Sequence, residues 1–544
     1  MSHALKNRRI ILLPLVLIVS LFIAHAVYLN CVAEDAFISF RFAKHLAQGY
    51  GIKWNIGEPP VEGYTNFLWV IICAAVYKMG FNLPGISQVL GILAAIGTLS
   101  YVFLFASNIL NLRGVTALLP CLFLAIAGPF ATWAASGMET NLFGLLLMMG
   151  TYYSAKFWKD NLITNLNFSL ISLFLATLTR PEGFFVYGII SFLSIMYSLN
   201  KSRPKLKSVL AGNLTFIIPF ALYFVWRFSY FGYPLPNTFY AKTGGGLYQI
   251  IRGAKYTICF GFYYLSPLFL MCVLFLISQR NAIINKIPGI KSHLILNKYI
   301  YSCIAICITY SLYITLVGGD YMAMYRFYVP ILPFFCLWFG FLTDILLKEL
   351  GDARIKKFTY ALVICGGAFT FLHSTPLEKR LFKQPPLQHG HYRGVQTEKF
   401  HTARLSLIGK FFNKYKKGLN ESLASGAIGA ISFYADIKIY GLHGLVDTHI
   451  SHMHSHEAHN QIKAKPLGTG FPGHEKGDLK YIFSKRPTYF MFSRWFYPNP
   501  RDYPSYSVEI DEIIRKNYKL SWVFLEDKIN SQSGYFTFLE LKNH

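Results

Sequence analysis

The sequence predicts a mostly α-helical, polytopic membrane protein. It should hold about eleven transmembrane helices, juxtamembrane helices in the first outer loop, and a C-terminal extracytoplasmic α/β domain. Three observations carry this reading. The 544 residues are 53% hydrophobic and only 14% charged, against about 25% charged in soluble domains. Lys and Arg number 52 against 26 Asp and Glu, a net charge of +26, but these cations are diluted among apolar runs, whereas nucleic-acid binding needs them clustered on a polar domain. Charge density also changes along the chain: residues 1–373 hold 28 basic and 11 acidic residues, and residues 374–544 hold 24 and 15. The break near Pro376 divides a membrane domain, 1–373, from a water-exposed domain, 374–544. With 17% aromatic residues, disorder is excluded.

The first apolar run, 10–29, follows Lys6, Arg8 and Arg9. Its length suits a retained span better than a cleaved signal peptide. Further spans are expected at 86–108, 115–133, 139–157, 166–179, 183–199, 208–231, 257–277, 299–317, 327–347 and 358–373. Segment 64–80 has only about 14 clean apolar residues against the roughly 20 a span needs. Parity settles how it is read. If it does not cross, Arg113, Lys156, Lys159, the basic residues of 201–207 and 280–298, and Lys348, Arg354, Lys356 and Lys357 all share the cytoplasmic side with Lys6, as the positive-inside rule asks. Segment 64–80 is therefore interfacial or re-entrant, the N-terminus is inside, and the C-terminal domain is outside. All nine cysteines lie at or before Cys365, and they form no CxxC metal pair.

This topology collects unusual polar residues on one face. The first outer loop opens with Glu34 and Asp35, followed by an amphipathic stretch to Leu46 that ends at Gly49 and Gly51. Later outer loops carry Glu139 (SGMET), Arg180 and Glu182 (TRPEG), Lys242 (PNTFYAK), and Asp320 and Arg326 (GGDYMAMYRFYVP). A single charge at a helix end is commonly an interfacial anchor. Acids gain nothing from lipid phosphates, so five such loops point to a shared cavity. The chemistry that fits is transfer of a sugar from a lipid-phosphate donor to an acceptor hydroxyl. Arg180, Lys242 and Arg326 would hold the donor phosphate. Asp35 would be the general base, with Glu34 a second carboxylate or a metal ligand. Displacement at the anomeric carbon would invert its configuration. Glu139, Glu182 and Asp320 would orient acceptor hydroxyls or cations. No cofactor is required by this pattern, with a divalent metal left open.

The acidic pair, FISFRFA and GYGIKWNIGEPPVEGYTNFLW, together with SGMET, TRPEG, PNTFYAK, GGDYMAMYRFYVP, YGLHGLVDTHI and PGHEKGD, resembles the terminal arabinofuranosyltransferases of bacterial cell-wall arabinan. These belong to the multi-span (GT-C type) glycosyltransferases that use polyprenyl-phosphate sugars. The resemblance spreads over most of the chain and is most specific over 34–69. It implies a catalytic acid in the first outer loop, matching Asp35. Where relatives often carry two aspartates, this chain has Glu34–Asp35. It further implies a bacterial inner-membrane location, a periplasmic C-terminal domain, and a cell-envelope glycan or glycolipid as acceptor. Arabinofuranose is suggested only by the resemblance. Through the shared motifs, Asp447, His449 and His474 become candidates for the acceptor side.

In the C-terminal domain, short strands are expected around 437–440, 480–483, 487–492 and 521–525. The tract His449, His452, His454, His456 and His459, with Asp447 and Glu457, is a weak Zn²⁺ candidate that reads more simply as a polar loop. The rival functions are a lipid-linked glycan transporter or flippase and a glycan polymerase or ligase. A transporter would place ionisable residues in mid-span, and these spans are nearly free of charge.

Overall fold

The computed structural model describes residues 2–199, 206–284, 297–348, 353–378, 391–418, 420–453, 473–527, 530 and 532–542. The membrane half is built from helices α1 (Ser2–Tyr28), α2 (Ala36–Ala47), α3 (Phe67–Lys78), α4 (Leu83–Leu104), α5 (Val115–Ile126), α6 (Gly128–Ala134), α7 (Thr140–Asp160) and α8 (Ile163–Thr179). These are followed by α9 (Gly183–Ser198), α10 (Leu206–Phe231), α11 (Asn237–Lys242), α12 (Gly246–Phe260), α13 (Ser266–Ile284), α14 (Lys298–Leu316), α15 (Leu332–Lys348) and α16 (Ala353–Leu372).

Among the described residues, six helical segments are long and apolar enough to cross a bilayer. The number rises to seven if α5 and α6, bent by 63°, form one span. α1, α8 and α9 are shorter apolar helices. Helix α3 has 12 residues, about 18 Å at 1.5 Å per residue, against roughly 30 Å of hydrocarbon.

The bundle packs through small residues, as helices in lipid do when close approach replaces hydrophobic drive. A Cβ on Gly253 of α12 would sit 2.1 Å from the Thr315 carbonyl oxygen of α14, and one on Gly91 of α4 would sit 2.3 Å from that of Ala134. The segment Ala323–Lys348 is 89% buried, while the other long spans are 22–44% buried. This buried helix begins in the turn that carries Arg326.

The C-terminal domain begins with α17 (Tyr392–Tyr415) and continues through β1 (Ser422–Ser425), α18 (Gly429–Ala435), β2 (Lys438–Gly441) and α19 (Thr448–His452). Then come α20 (Leu479–Ser484), β3 (Tyr489–Met491), α21 (Val508–Asn517), β4 (Tyr518–Asp527) and β5 (Gln532–Leu541). The five strands form one mixed sheet in the order β2-β1-β3-β5-β4. β1 pairs in parallel with β2 and β3, and β5 runs antiparallel to β3 and β4.

One strand expectation is corrected. Residues 480–483 lie in helix α20, because Asp478 caps its first turn by accepting from the Tyr481 amide, and Leu479, Ile482 and Phe483 are buried at helical spacing. Strands β2, β3 and β4 overlap the other expected runs.

The two halves interlock. Arg41 of α2 is buried and donates to the carbonyls of Trp54, Ser432 and Ile437. Asn55 pairs with both backbone groups of Ile439, so it acts as a one-residue strand on the open edge of β2. Trp54 Nε1 donates to the same Ile439 carbonyl, 3.0 Å away.

Candidate functional site: an acidic residue between two cavities

The Glu34–Asp35 pair occupies the turn between α1 and α2. The Ala33 amide, bonded to the Ser136 carbonyl at 2.9 Å, ties this turn to the α6–α7 loop. Asp35 is the N-cap residue of α2, yet its side chain makes no capping hydrogen bond. The carboxylate instead points into a cleft, 24% exposed, with one oxygen 3.7 Å from Arg326 Nη1.

Arg326 is held from the other side by Asp320, at 2.7 Å from Nε. Its guanidinium carbon lies 5.2 Å from the Phe327 ring centre and 5.5 Å from that of Trp133. Two local backbone features build this placement. Gly318 and Gly319 both have positive φ, and a Cβ on Gly319 would meet Tyr256 at 2.7 Å, so only glycine allows Asp320 to turn back. Met324 and Tyr325 are both left-handed (φ 57° and 46°), a conformation that costs non-glycine residues about 1–3 kcal/mol each. Burial of both side chains offsets that strain and aims Arg326 at the cleft.

Arg180, at the C-terminal end of α8, bridges Glu139 and Glu182, each at 2.9 Å. Asn66 donates to the second oxygen of Glu139 at 2.8 Å, and the Tyr313 hydroxyl donates to Glu182 at 2.9 Å. Burial alone would lower the Arg180 pKa, but the two acids more than offset it and hold the pKa well above its ordinary value. Lys242, at the end of α11, forms no ion pair among the described residues. Burial lowers its pKa, Asp35 opposes that, and Arg326 reinforces it. It is the uncommitted cation of the group.

These side chains line one cavity of about 270 Å³, which gathers Asp35, Glu139, Arg180, Glu182, Lys242, Asp320 and Arg326. Seven residues expected from five separate loops thus meet in one place. A second cavity, of about 330 Å³, opens between α2 and the C-terminal domain and contains Glu34, Glu398, His401, Arg404, His474 and Arg494. Asp35, Ile38, Tyr321 and Leu445 line both cavities. Asp35 therefore stands in their common wall.

The remaining candidates fall elsewhere. Glu34 touches the second cavity, but one carboxylate oxygen accepts from the Gly429 and Ala430 amides at 2.6 and 3.2 Å, so it fastens α18 to the first loop. Asp447 caps α19 and pairs with Lys485 at 2.9 Å. His449 stacks on Tyr481 and lies 3.2 Å from Asp478. Neither Asp447 nor His449 lines either cavity. His454, His456, Glu457 and His459 lie outside the described residues.

Sequence reading missed the polar wall supplied by α17. Thr397, Glu398, His401 and Arg404 occupy the same helical stripe that becomes apolar at Leu405, Ile408 and Phe412. Charged residues on the first half of a stripe whose second half is core were the available signal. The Arg404 guanidinium carbon lies 4.1 Å from the Trp495 ring centre, a partner that no spacing rule reveals.

Glu398 supplies a pH test. Burial, then Asp35 and Asp320, push its pKa up from 4.5 to about 7. The folded chain therefore holds an extra proton between those values. That contribution to stability is complete below about pH 4.5 and is lost as the pH rises through 7. Glu34, raised by burial and then by Asp35 to about 8, acts in the same sense. The thermal midpoint should fall between pH 5 and pH 8, and Glu398→Gln should flatten part of that fall. Parallel curves for the two proteins would refute the assignment.

The fold and site define a class: a multi-pass membrane protein whose mixed α/β domain closes a charged cleft against helix ends. The same fold is found in solved structures of ArnT from Cupriavidus metallidurans. The form bound to undecaprenyl phosphate matches with a TM-score of 0.51 and 10% identity over 98% of each chain. The apo form gives 0.51 and 11% over 97% of each. An oligosaccharyltransferase from Archaeoglobus fulgidus, in its apo form, gives 0.47 and 10% over 88% of this chain and 69% of that one. At these identities the likeness is one of fold. Residues 391–538 match a family described as a domain of unknown function (DUF8728). No curated protein sequence matches the chain.

Proposed function

We propose that this protein is an integral-membrane glycosyltransferase. In this reading, residues 1–373 form the transmembrane catalytic domain and 374–544 an extracytoplasmic domain in a bacterial inner membrane, with the N-terminus cytoplasmic. A sugar passes from a polyprenyl-phosphate donor to a cell-envelope glycan or glycolipid. The observation that carries the proposal is the position of Asp35, uncommitted to capping, in the wall between a cavity that holds three cations and a separate polar cavity.

The donor phosphate would enter the first cavity against Lys242 and Arg326, with the acceptor in the second. Asp35 takes the proton of the acceptor hydroxyl. The acceptor oxygen then bonds to the anomeric carbon as the bond from that carbon to the phosphate oxygen breaks. The electron pair leaves on polyprenyl phosphate, where preorganised cations stabilise it. Attack from the face opposite the leaving group inverts the anomeric centre. Arg180 has its Nη1 and Nη2 taken by Glu139 and Glu182, while its Nε has no hydrogen-bond partner among the described residues. It would add its charge to the donor-phosphate side and orient those acids and Phe327, 5.3 Å away. The ArnT fold, solved with undecaprenyl phosphate bound, supports a lipid-phosphate donor. Arabinofuranose as the sugar rests on the motif resemblance.

Purified full-length protein in lipid nanodiscs, given a panel of synthetic polyprenyl-phosphoryl sugars that includes the arabinofuranosyl one, should release polyprenyl phosphate from at least one donor in an acceptor-dependent way. A chain that neither binds polyprenyl phosphate nor consumes any donor would overturn the proposal.

A further inference from the structure

Away from the cleft, at the junction of the two halves, lies a cluster that the transfer chemistry does not use. His373 follows the last residue of α16, Glu378 lies five residues on, and His391 immediately precedes α17. All three are buried, and one ligand atom from each lies within 4.8 Å of the others. The imidazoles of His373 and His391 stack with their centres 4.8 Å apart. His391 Nε2 is 3.6 Å from Glu378 Oε1, too long for a hydrogen bond, and both atoms are buried without a hydrogen-bond partner. The other Glu378 oxygen accepts from the Tyr392 amide at 3.2 Å. This bond turns the free oxygen toward the imidazoles.

We propose that His373, Glu378 and His391 bind a divalent transition metal of the zinc class, which fastens the end of the last membrane helix to the first helix of the C-terminal domain. Two imidazoles and a carboxylate are a donor set that suits zinc. Tetrahedral bonds of about 2.0–2.1 Å place ligand atoms roughly 3.3 Å apart, so closure around an ion needs about 1.5 Å of contraction at most, within reach of side-chain rotation.

The electrostatics argue the same way. No Lys or Arg pairs with Glu378 among the described residues, and a buried carboxylate without a cation is costly. A dication would offset that cost. The walls are aromatic: His391 packs against Tyr263 and Tyr325 with ring centres 4.5 and 5.7 Å away, and the Tyr264 hydroxyl is 3.4 Å from its Nδ1. Tyr264 also reaches the sulfur of Met324. The cluster thus backs the left-handed turn that aims Arg326, and the ion would stiffen that turn from behind.

The test uses the full chain in detergent, stripped with EDTA and titrated with Zn²⁺ alone. The wild type should bind one tight equivalent, and its thermal midpoint should rise by about 5 °C on saturation. Losing an outer partner of a ligand costs roughly 10–100-fold in affinity. Losing a ligand should cost more, so His391→Gln and the isosteric Glu378→Gln should each weaken the tight site by over about 100-fold. Because other histidines also bind zinc, a triple variant, His454→Ala, His456→Ala and His459→Ala, should keep the tight equivalent. Absence of a tight equivalent in the wild type, or its loss in the triple variant with retention in Glu378→Gln, would overturn the proposal. If His391→Gln does not fold, Glu378→Gln and the response of the wild-type midpoint to EDTA decide the matter. A midpoint that EDTA and Zn²⁺ leave unmoved counts against the site.

Discussion

Asp35→Asn is expected to slow sugar transfer by about 10²–10⁴-fold, the range of one general base, while binding of polyprenyl phosphate changes less than about threefold. The change keeps volume and shape. The Asp35 side chain does not cap α2, so the helix loses no hydrogen bond, and Arg326 stays anchored by Asp320 at 2.7 Å. What disappears is the capacity to take a proton. One negative charge also leaves a cleft that holds Lys242 and Arg326, which favours an anionic lipid slightly. The signature is therefore a collapsed single-turnover rate with donor affinity equal or better. Undiminished turnover would remove Asp35 from the mechanism, and lost donor binding would make it a structural residue.

The largest effect on stability is expected at Glu62. Its carboxylate takes both a 2.9 Å bond from Arg227 Nε and a 2.5 Å bond from Nη2, with the two side chains 5% and 6% exposed. The Glu62 carbonyl also accepts from the Asn237 amide at 3.1 Å. Glu62→Gln removes the only negative charge paired with the buried Arg227 guanidinium among the described residues, leaving it one neutral amide oxygen and the Tyr233 and Pro234 carbonyls. Breaking such a pair costs about 3–5 kcal/mol, whereas exchanging both partners for apolar residues is often neutral. The single variant should melt well below the wild type. Glu62→Leu combined with Arg227→Met should recover most of the loss, and a double-mutant cycle on thermal midpoints measures this. A Glu62→Gln protein as stable as the wild type would show that the pair only decorates the site. Because Gly63, Tyr64, Thr65 and Asn66 line the first cavity, the pair also fixes one of its walls.

Much of this site is legible in the sequence. Charged residues at helix ends announce themselves in an apolar chain, since each costs energy in hydrocarbon and must collect where water or partners exist. Asp35, Glu139, Arg180, Glu182, Lys242, Asp320 and Arg326 were visible on that ground, and they meet. The C-terminal domain was harder. Its residues obey soluble rules, under which a polar side chain is unremarkable, so Glu398, His401 and Arg404 do not stand out by composition. Asp447 and His449 stand out through motif and charge, but their polar groups serve a helix cap, an ion pair and a ring stack. The strand expected at 480–483 failed because four apolar-rich residues fit either period, and the arbiter, the Asp478 cap, sits just outside the run. Glu62 and Arg227 lie 165 residues apart, a pairing that local pattern cannot supply.

The interlock of the first loop with the C-terminal domain sets an order of events during synthesis. Arg41 bonds to Ser432, which is made 391 residues later, and Glu34 caps a helix that begins 395 residues downstream. At about 5–20 residues per second, the loop that carries Asp35 is made roughly 20–80 s before its partners emerge. During that interval the second cavity lacks the lining that residues 397–495 supply. A chain that stops before Gly429 therefore lacks the contacts that close the wall around Asp35.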